Sequence, residues 1–228
     1  MANKLIMVLG LESGGTSTAA GILHHLGVRM GKLNLETAKT ADNLLKAFNT
    51  YECMDLVKAI KRQAGGRFNF DDFGNAVINY IAKRHHEAGG TRAGFKNVAT
   101  ATLGMMRKSA LDKLPIEIFQ IKRDLNKVFD SVIKYRGVDY QCVSQVAAGY
   151  LSIQQLVLKM PPVLSLNYED ILADPRGSVE QVRDAFGLKV TNRQFERAVK
   201  FVDPEGCAKN VVHEELRVPV EGEEPLKK

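Results

Sequence analysis

The sequence predicts a three-layer α/β fold, a central parallel sheet flanked by helices, on three observations. An uninterrupted apolar run, LIMVL at 5–9, stops at a glycine-rich loop and gives way to a helix-like segment. From there strand-like and helix-like segments alternate almost to residue 201, the order in which crossover helices build a parallel sheet. Composition agrees: a chain of 228 residues that is 45% hydrophobic and 25% charged has the material for a substantial core.

LIMVL reads as a strand buried on both faces, because its apolar residues are continuous rather than alternating. Thr16 to Leu26 reads as a helix: Ala19, Ile22, Leu23 and Leu26 recur at helical spacing, and Gly27 stands where a C-terminal cap belongs. Helical stretches are expected at 40–64 and 71–88, separated by the glycine turn of AGGRFNFDD, with Asp71 or Asp72 as cap of the second. GFKNVA at 94–99 is a short strand and 100–111 helix-like. Ile116, Ile118, Phe119 and Ile121 form a strand that runs out as charge appears at Lys122 and Arg123. The segment 124–136 is helical, with Leu125, Val128, Val132 and Tyr135 on one face, and a long helix covers 140–159. PPVLSLNYED supplies a further strand and its exit loop, with Asp170 a capping residue and Asp174-Pro175 opening the next helix. Helices at 175–186 and 192–201 precede a charged tail from about 203. No repeat or low-complexity linker divides the chain, so one domain over 1–228 is expected.

Thirty-two basic against 26 acidic residues leave a net charge of +6, which suits an anionic ligand. Aromatic-basic interleaving of the RNA-module kind is missing, so a nucleic-acid partner is not expected. Cys53, Cys142 and Cys207 are scattered, without metal-ligand or disulfide spacing. A reducing, cytoplasmic setting and no metal follow as expectations. No run approaches the ~18 apolar residues of a membrane helix.

Two segments carry the chemistry. In GLESGGTST (10–18) Gly10, Gly14 and Gly15 permit tight turns, and Thr16, Ser17 and Thr18 bring hydroxyls to a helix N-terminus, where backbone amides and the helix dipole favour an anion. Thr16 occupies the place of the Walker lysine, and the dinucleotide pattern GxGxxG is absent. The second segment is RDLNKVFDS (123–131): Arg123 stands at a strand end, with Ser131 about two turns into the helix that follows. A parallel sheet brings Arg123 to the same carboxyl edge as the glycine loop, so two anion subsites are expected there.

On these residues the chain resembles the PAPS-dependent sulfotransferases, which transfer sulfate from 3′-phosphoadenosine 5′-phosphosulfate (PAPS). GLESGGTSTAAGILHHLGVRMG is similar to that family's GxxRSGTS…LHxLGVxMG loop and helix. RDLNKVFDS matches RDPxxxxxS with the Arg-to-Ser spacing kept, and LNYEDILADPRGSVEQVRDAFGL is similar to YEDLLxDPxxxxxxxxxFLGL. GFKN resembles the GFKDPR of bacterial members more weakly. The motifs keep the family's order across residues 4 to 188. The resemblance implies a P-loop-like nucleotide-binding architecture with PAPS as co-substrate and an acceptor of unspecified identity. It implies that Ser13, Gly14, Gly15, Thr16, Ser17 and Thr18 embrace the 5′-phosphosulfate, and that Arg123 and Ser131 hold the 3′-phosphate.

The chain also departs from the family. Ser13 stands where relatives carry Arg or Lys, Leu125 replaces the Pro after RD, and Asn97, Val98 and Ala99 replace Asp-Pro-Arg. The histidine that animal members place after this strand is absent. Lys96 is then the best available cation for the transferring group, and Glu12 or His85 the candidate base. His24 and His25 read as packing residues, and Tyr168 to Asp170 as structural. GKLNLETAKTADN (31–43) is placed to contribute to an acceptor pocket. Three functions remain open: a sulfotransferase acting on a carbohydrate, peptide or small molecule; a nucleotide-binding protein of the same fold without turnover; and, against the missing lysine, a P-loop kinase.

Overall fold

The computed structural model describes residues 4–30, 70–89, 91–96, 114–136 and 140–202. Four strands, β1 (Leu5–Leu9), β2 (Gly94–Lys96), β3 (Ile116–Lys122) and β4 (Leu164–Asn167), form one parallel sheet in the order β2-β1-β3-β4. Register pairs Val8 with Lys96 and with Phe119, and Lys122 with Asn167. The helices are α1 (Thr16–His25), α2 (Phe70–Ala88), α3 (Leu125–Arg136), α4 (Tyr140–Lys159), α5 (Tyr168–Ala173), α6 (Pro175–Ala185) and α7 (Asn192–Val202).

Every residue of β1 is buried, and its alternation explains the continuous apolar run. Leu5, Met7 and Leu9 face a core shared with α2, α3 and α4, through residues such as Val77, Ile81, Val128 and Leu156. Ile6 and Val8 face the opposite core, built with α1, α5, α6 and α7. β3 divides in the same way, Ile116 and Ile118 to the first core and Phe119 and Ile121 to the second. Each such fully buried side chain contributes roughly 1.5–3 kcal/mol relative to exposure.

α1 ends where its sequence says it must. Gly27 takes φ 88°, its N–H donates to the carbonyl of His24, and Val28 N–H donates to that of Leu23, the paired bonds of a glycine-terminated helix. In mid-helix, Gly21 lets α7 approach: a Cβ there would lie 2.2 Å from the Phe201 ring. His25 stacks on Phe201 with ring centroids 4.9 Å apart. At the amino edge, Arg92 donates to the carbonyls of Lys4 and Phe186 and to Glu117, tying β1, β3 and the end of α6 together.

Two local expectations are corrected. α2 begins at Phe70, so Asp71 and Asp72 lie within its first turn rather than ahead of it. The chain after β4 is not an exit loop: Tyr168 starts the helix α5, and the carboxylate of Asp170 accepts from the Asn167 side chain at 2.7 Å instead of capping backbone. Asp174 does cap α6, accepting from Gly177 N–H at 2.9 Å with Pro175 in the first turn. The helices expected at 40–64 and 100–111, residues 31–43 and 97–99, and the tail from 203 lie outside the described residues.

Candidate functional site

All four strands end at one edge. β1 runs into the loop Gly10–Gly15, β2 ends on Lys96, β3 is followed by Arg123 and β4 by Tyr168. From β1 the chain goes on to β2 on one side, and from β3 to β4 on the other. The crevice between β1 and β3 is therefore the topological switch point, where open parallel sheets take ligands.

The loop is tightly wound. Gly14 N–H donates to the carbonyl of Leu11 at 3.0 Å, and Ser13 and Gly15 both take left-handed backbone, at φ 58° and 88°. A Cβ on Gly15 would lie 2.3 Å from the ring of Tyr168, so glycine is required there for backbone and for space alike. Helix α1 follows directly. No side chain caps it, no acid lies in its first turn, and its ladder opens with Ala19 N–H to Gly15 at 3.1 Å. The other described helix starts at this edge differ: Asp124 accepts from the amides of Asn126 and Lys127 in α3, and α5 carries Glu169 and Asp170 in its first turn. Of these starts, that of α1 is the one left to an external anion.

Two cations flank the loop. Lys96, only 8% exposed, donates from Nζ to Ser17 Oγ at 3.3 Å. Arg123 donates from Nη1 to the carbonyl of Ser13 at 2.5 Å, and its guanidinium lies 4.9 Å above the Tyr168 ring. Its Nε is buried without a hydrogen-bond partner and stands 3.8 Å from Glu169 Oε1. The same carboxylate oxygen is 3.3 Å from Lys127 Nζ.

The sequence-derived candidates thus divide. Ser13, Gly14, Gly15, Thr16, Ser17, Lys96 and Arg123 meet around one loop, Thr18 is buried in the first turn of α1, and Glu12 is exposed on the loop. Ser131 is half-buried on α3, six residues and roughly 9 Å along the axis from its first residue. His85 is not brought there. α2 runs antiparallel to the strands and delivers its last turn to the amino edge, where Arg84 donates to the carbonyl of Arg29. His24 and His25 lie at the same far end. Burial lowers the pKa of His24; burial first, then the neighbouring His24 and Arg197, lowers that of His25 to about 4. Tyr168 and Glu169, read from the sequence as structural, pack against and pair with Arg123 at this edge; the signal for that place was position, directly after a strand end.

This architecture is the P-loop-like α/β fold of the sulfotransferases. In particular, the chain is similar to sulfotransferase STF1 from Mycobacterium tuberculosis H37Rv, with TM-score 0.55 and 15% identity over 87% of this chain and 71% of that one. It also matches two structures of retinol dehydratase. The one with androsterone and inactive cofactor PAP has TM-score 0.46 and 15% identity over 90% of this chain and 66% of that one. The one with retinol and PAP has TM-score 0.47 and 16% identity over 93% and 68%. No family model and no curated protein matches the chain. At such identities the likeness establishes the fold alone. Among the described residues no helix is long and apolar enough to cross a membrane, and no three His, Cys, Asp or Glu side chains are grouped to hold a metal.

Proposed function

We propose that the protein is a sulfotransferase that uses PAPS and delivers the sulfuryl group to a hydroxyl or amine of a carbohydrate, peptide or small molecule. The observation that carries this reading is the convergence of Lys96, Arg123 and the uncapped start of α1 on a single glycine loop. PAPS fits two features of that edge. The amides and hydroxyls from Gly14 to Thr18 suit its 5′-phosphosulfate, and the buried Arg123 Nε, which lacks a hydrogen bond, suits its 3′-phosphate, with Ser131 as a further donor. When bound, PAPS supplies the sulfuryl group and a phosphate leaving group.

The chain's own residues do the rest. Lys96 holds positive charge beside Ser17, where negative charge gathers during an in-line transfer, and its seat on a strand fixes it there before reaction. Arg123 orients the nucleotide from the opposite flank. Glu12, exposed on the loop, takes the acceptor proton in this reading. Ser13 contributes a backbone carbonyl to Arg123 and no charge, which favours a second reading: nucleotide binding without turnover.

Calorimetry with 3′-phosphoadenosine 5′-phosphate (PAP) and with AMP tests the two-subsite claim, since equal affinities would sink it. Transfer of labelled sulfate from PAPS to a broad acceptor panel separates the enzyme from the binding protein. Magnesium-dependent phosphate transfer from ATP would instead favour a kinase.

A further inference from the structure

We propose that Glu169 is the resident counterion of the Arg123 subsite, a carboxylate that an incoming phosphate displaces and that thereby sets which anions the subsite admits. The inference rests on the two-subsite reading and adds a residue to it.

The geometry of the cluster carries the argument. Glu169 Oε1 is shared between two cations, Lys127 at 3.3 Å and Arg123 at 3.8 Å, and Arg123 Nε is buried and makes no hydrogen bond. One negative charge against two positive leaves the cluster short of an anion, and a strong donor stays unsatisfied. Some arginine pairs elsewhere close fully: Arg176 reaches both oxygens of Glu196 at 2.7 and 2.8 Å, and Arg92 meets Glu117 at 3.0 Å. Arg84, which also has an unsatisfied Nε, stays 3.7 Å from Glu87 at the amino edge, so what sets Arg123 apart is its place beside the glycine loop. Charge-assisted bonds shorten to about 2.7–2.9 Å where nothing opposes them. The Arg123 contact stops an ångström beyond that, because the guanidinium is held by other hands. Ser13 fixes Nη1 and Tyr168 fixes the face, so Glu169 cannot draw Arg123 over to itself.

The consequence is directional. Arg123 keeps its place when Glu169 leaves, and Glu169, with its side chain 34% exposed, has solvent to move into. Lys127, 55% exposed, then becomes available to the new anion. An entering group must outcompete a carboxylate, which favours a dianionic phosphate monoester over a singly charged sulfate ester or carboxylate. Glu169 is thus a specificity-determining residue, opposed in sign to the cations around it.

The test is calorimetric titration of wild type, E169Q and the double variant R123A/E169Q, each checked for an unchanged melting curve. Where wild type prefers PAP to AMP, E169Q is expected to bind PAP about five-fold more tightly, the effect of removing one partly exposed charge, with AMP unmoved and the gain lost in the R123A background. PAP affinity that is unchanged or weaker in E169Q overturns the inference and makes Glu169 a prop for Arg123. Equal tightening of AMP also overturns it. Where wild type binds PAP and AMP alike, the nucleotide reading has failed, and inorganic phosphate decides the counterion separately: tighter binding to E169Q sustains it, and no change removes it.

Discussion

Arg123→Ala separates ligand recognition from loop support, because its guanidinium serves both. The loop term comprises the Nη1 bond to the Ser13 carbonyl at 2.5 Å and the stacking on Tyr168 at 4.9 Å. Losing these loosens the turn that presents the α1 amides, and weakens PAP and AMP alike. The ligand term is the bond available to the unsatisfied Nε; a hydrogen bond to a charged group is worth about 1.5–3 kcal/mol, or roughly 10- to 150-fold in affinity. Arg123→Ala should therefore lower the PAP-to-AMP affinity ratio by that factor, while AMP falls only modestly. Arg123→Lys keeps the charge without the planar fork and should lie between. Isothermal titration of both nucleotides against the three proteins, at one salt concentration, reads the ratio. If PAP and AMP weaken together and the ratio stays put, Arg123 is a loop clasp and the 3′-phosphate assignment is wrong.

Lys96→Met should cut sulfate transfer about 100-fold, the scale of losing one electrostatic donor, while PAP, which lacks the sulfuryl group, loses less than about five-fold in titration. Gly15→Ala combines φ 88° with a Cβ 2.3 Å from Tyr168 and should cost about 1–3 kcal/mol in urea unfolding; adding Tyr168→Ala should restore part of it, and strictly additive losses would contradict the contact. The folded protein holds His25 neutral, with its pKa near 4 against 6.5, so the stabilisation is complete above pH 6.5 and drains away as pH falls toward 4. That difference is worth at most about 3 kcal/mol, and His25→Phe should flatten the urea midpoint across the window. Asp174→Ala should cost about 1 kcal/mol of stability through its lost cap and leave PAP affinity untouched.

What the sequence disclosed was local. LIMVL, the glycine loop and α1 were legible because each announces itself within a few residues: an unbroken apolar run, turn glycines, a helical stripe and Gly27. The helix α5 was not, since six residues hold under two turns and Ile171 is its one fully buried side chain. The bonds that shape the site were out of reach for another reason. Arg123 and Ser13 are 110 residues apart, and Lys96 and Ser17 are 79 apart, so no periodicity links them. His85 is the instructive case. A helix between parallel strands must return antiparallel to them, so its last turn falls at the amino edge; topology alone opposed His85 as the candidate base, a choice made from its nearness in sequence to the GFKN strand.

The same topology bears on Ser13, which stands where the sulfotransferases that the sequence resembles carry Arg or Lys. In a parallel sheet both neighbours of β1 finish at its carboxyl edge, one on each side of the loop. Register sets Lys96 beside Val8, two residues short of Gly10, and β3, paired to Leu9 at Gln120, carries on to Arg123. The loop is therefore flanked by charge on both sides, from strand ends rather than from a side chain of its own. Positive charge held on strands is better fixed than charge held in a turn, and preorganisation is what electrostatic catalysis needs. An uncharged residue at position 13 then has a structural use as well: its carbonyl, turned by a left-handed backbone, accepts the bond that keeps Arg123 in place. A lysine at 13 could form that bond too, but it would set a third cation beside two others and raise the cost of the empty site. Ser13 is consistent with a loop whose charge has been moved to its neighbours.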